Sequence, residues 1–144
     1  MKLDLSSDST VLVLGDDFRN LQPWRWWGSS VLATEGMIYG VPGTATSILQ
    51  YNTTSGESKL IAEGQPLLEF PGWKFSVGLL GNNGKIFFVP FGRNKVVVFD
   101  PFSITHPLNE IGDDFGSCEY KWRSGVVGLD GNIYCIPFDA NNAV

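Results

Sequence analysis

Apolar residues along this chain come in short runs separated by clusters of Gly, Asn, Asp, Ser and Pro, the pattern of brief strands joined by tight turns. One such pattern occurs three times: Trp27 to Pro42 (WGSSVLATEGMIYGVP), Phe75 to Pro90 (FSVGLLGNNGKIFFVP) and Trp122 to Pro137 (WRSGVVGLDGNIYCIP). Gly36, Gly84 and Gly131 align, as do Ile38, Ile86 and Ile133, the aromatics Tyr39, Phe87 and Tyr134, and Pro42, Pro90 and Pro137. Each block predicts a hairpin whose second strand stops at proline, which has no N–H with which to continue a central ladder. Asn82-Asn83-Gly84 and Leu129-Asp130-Gly131 carry the Asn-Gly and Asp-Gly chemistry of positive-φ hairpin turns.

A second strand pair follows the first two blocks. Ile48 to Asn52 is followed by the polar turn TTSGES, and Val96 to Asp100 by PFSITH and a fourth strand at Leu108 to Ile111. The matching half of the third block stands at the start of the chain: Leu3-Asp4 lies 48 residues before Tyr51-Asn52, and Leu14 to Phe18 (LGDDF) repeats Ile111 to Phe115 (IGDDF). The expected units are 24–72, 73–120, and 121–144 joined with 1–23, about 48 residues each in a single 144-residue repeat domain. The fold class is therefore all-β, three four-stranded antiparallel meanders. Propellers close with 4 to 8 such units, so the expectation is half of a six-bladed β-propeller completed by a second copy, a homodimer with the split unit closed in trans. A β-trefoil monomer, which also has three four-stranded repeats, is the alternative, although its usual Gln-x-Trp pattern does not recur with the repeat and stands only once, at Gln22-Pro23-Trp24.

The segment KWRSGVVGLDGNIYCIPFDANNAV, with VVVFDP and EIGDDF from the sister unit, resembles tandem propeller repeats of the kelch and NHL type. The first unit departs from that pattern, with Trp26-Trp27 in place of the Lys-aromatic pair and Ala62-Glu63-Gly64-Gln65 in place of the Asp-Asp-Phe loop. The resemblance implies a binding scaffold and carries over no catalytic residue.

Composition agrees with short strands: 43% apolar and 13% aromatic residues, 17 glycines, 8 prolines and only 17% charged residues. A net charge of −5 leaves no broad basic field, which argues against nucleic acid as a partner. No apolar run approaches bilayer length and the first residues (MKLDLSSDST) lack an apolar leader core, so no membrane partner is expected and the location expected is the cytoplasm. Cys118 and Cys135 lack metal-ligand spacing and read as buried or incidental thiols, and the sequon at Asn52 reads as a hairpin turn.

In a propeller, the loops from strand two to three and from strand four to the next strand one emerge on one face, where ligands bind. That face is expected to present Asp16, Asp17, Asp113 and Asp114 from one loop type, and Arg93, Asp139 and Phe91 or Phe138 from the other. Paired aspartates suit Ca²⁺ or a cationic ligand, and otherwise serve as turn caps; no other cofactor is indicated. Trp24 and Trp26 are candidates for a pocket or dimer seam, whereas Trp27, Phe75 and Trp122 share a repeat position that predicts core between blades. His106, the sole histidine, has no nucleophile beside it, and no metal, nucleotide or nucleophile motif is present. The expectation is a non-catalytic module that recognises a protein or small ligand. A carbohydrate-binding, lectin-like protein is the alternative, with a hydrolase using acidic residues in third place.

Overall fold

The computed structural model describes residues 2–3, 11–12, 25–117 and 120–140. β1 (Lys2–Leu3) and β2 (Val11–Leu12) form an antiparallel pair, with Leu3 opposite Val11. β3 (Ser30–Leu32), β4 (Met37–Gly40), β5 (Ile48–Asn52) and β6 (Ser58–Ile61) make one four-stranded sheet in chain order. β7 (Phe75–Leu80), β8 (Ile86–Pro90), β9 (Val96–Phe99) and β10 (Leu108–Ile111) make a second, also in chain order. β11 (Trp122–Val127) and β12 (Ile133–Pro137) pair as a hairpin that matches β7–β8. Every pairing is antiparallel.

Local chemistry sets these boundaries. β8 and β12 end at Pro90 and Pro137, as their sequence demands. The β7–β8 and β11–β12 turns need a left-handed residue where Gly84 (φ 76°) and Gly131 (φ 81°) stand, and the amides of Gly81 and Gly128 close them on Lys85 and Asn132. At the sequon, the Asn52 side chain accepts the amides of Thr54 (2.8 Å) and Ser55 (3.1 Å), the turn its sequence predicts.

Period-two alternation gives each sheet two apolar flanks. Ile86 and Phe88 of β8 point to the first sheet, where they join Val31, Tyr39, Val41 and Ile48 in the main core with Phe75, Val97, Phe99 and Leu108. The Tyr39 ring meets Phe99 edge-on at 5.2 Å, while its hydroxyl accepts the Gln50 side-chain amide at 3.0 Å, so the polar tip is satisfied. Val89, on the other flank of β8, packs with Trp122 and Cys135 in a second, smaller core. Each fully buried aliphatic or phenylalanine side chain contributes about 1.5–3 kcal/mol, so these two seams hold the sheets face to face.

The heads of the inner strands correct one expectation. The Lys74 carbonyl accepts the Phe91 amide and the Lys121 carbonyl accepts the Phe138 amide, both at 2.8 Å; in the first sheet, the Arg25 carbonyl accepts the Gly43 amide at 2.7 Å. Superposing these bonds makes Arg25, Lys74 and Lys121 equivalents and puts Trp26, not Trp27, in the place of Phe75 and Trp122. The first unit is one residue longer here, and Trp27 is the extra residue. Phe75 (0% exposed) and Trp122 (3%) go into the seams, whereas Trp27 is 44% exposed and does not take the core role expected for it, and its neighbour Trp26 is half-buried.

Adjacent inner strands approach closely at Gly78, where an added Cβ would lie 2.7 Å from Val41 Cγ2 and 2.8 Å from Val31 Cγ2. Gly78→Ala is therefore expected to destabilise the protein by about 1–3 kcal/mol through overpacking, lowering Tm by roughly 3 °C or more in a thermal melt. An unchanged Tm would contradict this packing.

Candidate functional site on the loop face

The triplets that open the inner strands read aromatic, cation, aromatic: Trp73-Lys74-Phe75 and Tyr120-Lys121-Trp122. The second aromatic is buried in a seam, and the cation is buried too, with Lys74 0% and Lys121 1% exposed. Their ammonium groups hold the loops from below: Lys121 Nζ donates to the Arg93 carbonyl at 3.1 Å and Lys74 Nζ to the Phe70 carbonyl at 3.5 Å. The first aromatic stays on the loop face.

There, Trp73 and Tyr120 meet Phe91 and Phe138, which follow the prolines that end β8 and β12, and the extra residue Trp27. Together these five rings line a cavity of about 290 Å³ that is apolar throughout. Phe91, 5% exposed, anchors the cup; its centroid lies 4.9 Å from Tyr120, 6.4 Å from Phe138 and 6.4 Å from Trp27, and Trp27 meets Trp73 edge-on at 4.7 Å.

Arg123 sits over this cup because β11 is irregular: its pairing slips between Trp122 and Ser124, leaving Arg123 as the bulged residue. Bulges re-aim a side chain, and this one carries the guanidinium to 5.8 Å from the Trp27 ring and 5.6 Å from the Phe138 ring. Among the described residues it has no ion-pair partner.

No protein-family model matches this chain and no curated protein matches it. Solved structures that share its fold include two lyases. One is virginiamycin B lyase from Staphylococcus aureus, at 14% identity and a TM-score of 0.56 over 79% of this chain and 35% of that one. The other is a streptogramin B lyase, at 16% identity and a TM-score of 0.57 over 85% of this chain and 38% of that one. The chain thus spans little more than a third of either. The architecture is that of a β-propeller, built here from antiparallel four-stranded blades, rather than a trefoil. The expectation of a non-catalytic binding module is corrected by the same finding: it drew on propellers as mainly binding scaffolds, and both similar structures are enzymes.

Of the residues expected on this face, Phe91 and Phe138 line the cup and the others are dispersed. Arg93 lies in the β8–β9 loop, where it pairs with Glu110, donates to the Leu67 carbonyl at 3.3 Å and covers the Phe70 ring at 5.3 Å. Asp114 accepts the Asn94 side-chain amide at 2.5 Å and the Gly116 amide at 2.7 Å, so it caps a turn. Asp113 is exposed beside it. Asp139 is exposed at the rim of the cup, its amide donating to the Tyr120 carbonyl at 3.0 Å. Trp26 donates its indole N–H to the Ser47 carbonyl at 3.0 Å, and His106 is exposed in the β9–β10 turn. Asp16, Asp17 and Trp24 lie outside the described residues, as does Cys118. Among the described residues no group of three or more His, Cys, Asp and Glu is placed to hold a metal ion, and no helix is long and apolar enough to cross a membrane. Arg123, Trp73 and Tyr120 were not among the expected site residues. The aromatic-cation-aromatic triplet, visible in Trp73 to Phe75 and Tyr120 to Trp122, is the signal that finds the rings; nothing in the sequence marks Arg123.

Burial is the larger reason that the Lys74 pKa falls from 10.5 to about 8, with the Arg93 charge second and Glu69 acting the other way. Burial also pushes the Cys135 thiol up to about 11. Because the unfolded chain binds more protons at Lys74 between pH 8 and 10.5, stability rises with pH through that window; Cys135, whose folded form holds its proton longer, opposes the rise above its ordinary value of 9. Stability is therefore expected to climb by about 1 kcal/mol from pH 8 to 9 in denaturant titrations. Lys74→Met should abolish the climb, and a climb that survives this change would contradict the assignment.

Proposed function

We propose that this chain forms part of a propeller enzyme of the lyase type, with its substrate seated on the loop face in the aromatic cup. The observation that carries this reading is the convergence of five rings from successive units on one apolar cavity, with a cation held over it. A lyase breaks a bond by elimination, which needs a group to accept a proton and a cation to steady negative charge on the substrate. Asp139, a carboxylate at the rim beside Phe138, takes the first role, and Arg123 the second.

The ring is completed by a second copy of the chain, giving six blades of the kelch or NHL type. Support comes from the half-blade β11–β12, where Val126 (59%), Tyr134 (48%) and Ile136 (55%) are exposed. Support also comes from the 420 Å³ groove between β8–β10 and β12, lined by Phe87, Val89, Val96, Ile111 and Ile133, where outer strands of a third blade belong. The β1–β2 pair, which repeats the sequence of strands three and four, is the matching element.

One preparation tests both parts. Light scattering should give about twice the 15.8 kDa chain mass, and a monomer would contradict closure by a second copy. Incubation with virginiamycin B, the compound for which one of the similar lyases is named, should consume it as followed by chromatography and mass spectrometry. Asp139→Asn should slow consumption about 100-fold or more, as loss of a general base does. No consumption by the unaltered protein would overturn the lyase reading.

A further inference from the structure

The cup and Arg123 differ in chemistry, and together they specify a ligand more narrowly than either does alone. The cavity of about 290 Å³ is walled by Trp27, Trp73, Phe91, Tyr120 and Phe138 and offers no polar lining, so it selects a flat apolar group about the size of one or two fused rings. A guanidinium held near ring faces still presents a planar N–H fork that fits a carboxylate with two parallel hydrogen bonds. Arg123 lies over the Trp27 ring at 5.8 Å and over the Phe138 ring at 5.6 Å, and it has no ion-pair partner among the described residues. Arg93, also on this face, is occupied, since it is engaged with Glu110 and the Leu67 carbonyl. The buried lysines are also committed to loop carbonyls, Lys121 to that of Arg93 and Lys74 to that of Phe70.

We propose that the cup binds a planar aromatic group bearing a carboxylate, the ring lying among Trp73, Phe91 and Phe138 and the carboxylate on Arg123. This rests on the loop face being the substrate site, and it assigns that site a substrate class: an aromatic acid, or a larger molecule that ends in one.

Calorimetric titration of the full chain with indole-3-acetate, indole and tryptamine separates ring from charge, since the three share one ring and differ in carrying an anion, no charge or a cation. Indole-3-acetate should bind about tenfold more tightly than the other two. Arg123→Gln should erase that preference while indole still binds, and Phe138→Leu should weaken all three; an unchanged melting temperature verifies that each variant is folded. Equal affinity for the three compounds, binding of none of them, or a preference that survives Arg123→Gln would overturn the proposal. Because binding is read without turnover, failure of the lyase assay with the anion preference intact would remove the reaction and leave this ligand class standing.

Discussion

Every feature of the loop face depends on how the first residues of each inner strand are buried. A blade exposes an apolar flank on either side, and the seam with its neighbour must close from the loop face downward to exclude water. Phe75 and Trp122 do this as buried rings, with the half-buried Trp26 in the corresponding place of the first unit. The residue before each ring is then forced beneath the loops, and there the chain places a cation. An amine buried with loop carbonyls as its partners is a demanding arrangement, because desolvation opposes its charge. The lowered pKa of Lys74 is the direct expression of that cost.

The aromatic cup follows from the same geometry. With the second aromatic in the seam and the cation beneath the loops, the first aromatic of each triplet has only the loop face to occupy. Trp73 and Tyr120 meet there, and Phe91 and Phe138 arrive from the ends of β8 and β12. One place in the repeat completes the cup, just after the residue that opens each inner strand: the first unit is a residue longer there and exposes Trp27, and the bulge that β7 also has at Ser76 turns Arg123 over the rings in β11. The bulge is a regular feature of the scaffold, and its residue type, serine in β7 and arginine in β11, sets what it presents.

Much of the scaffold was legible in the sequence, because hairpin turns and strand ends are local. Asn-Gly and Asp-Gly turns, prolines closing β8 and β12, and the runs Ile48 to Asn52 and Leu108 to Ile111 all became the elements they predict. The site was less legible for two physical reasons. Counting residues back from Pro42 to Trp27 assumed equal spacing, and an extra residue near the strand head shifts every earlier side chain to the other flank without leaving a mark in composition. A bulge such as that at Arg123 is likewise a property of pairing, not of residue type. The acidic residues drew notice because paired aspartates look like ligands, yet Asp114 spends its oxygens on Asn94 and Gly116. Phe91 and Phe138 were expected on this face, but Trp73 and Tyr120 were not and Trp27 was assigned to the core, because aromatic residues also build cores and only burial separates the two uses: Trp122 is 3% exposed, Trp27 44%.

The register at the strand heads is the claim on which the cup stands, and it can be read one tryptophan at a time. Fluorine NMR of protein labelled with 5-fluorotryptophan, assigned by single Trp→Phe replacements and recorded with a soluble paramagnetic probe, reports the exposure of each ring. The account predicts strong broadening of Trp27, less of the half-buried Trp26 and little of Trp122, and a shift of the Trp27 signal on Phe91→Leu. A protected Trp27 beside a broadened Trp26 would contradict it, and the aromatic cup would lose the residue that joins its first unit to the others.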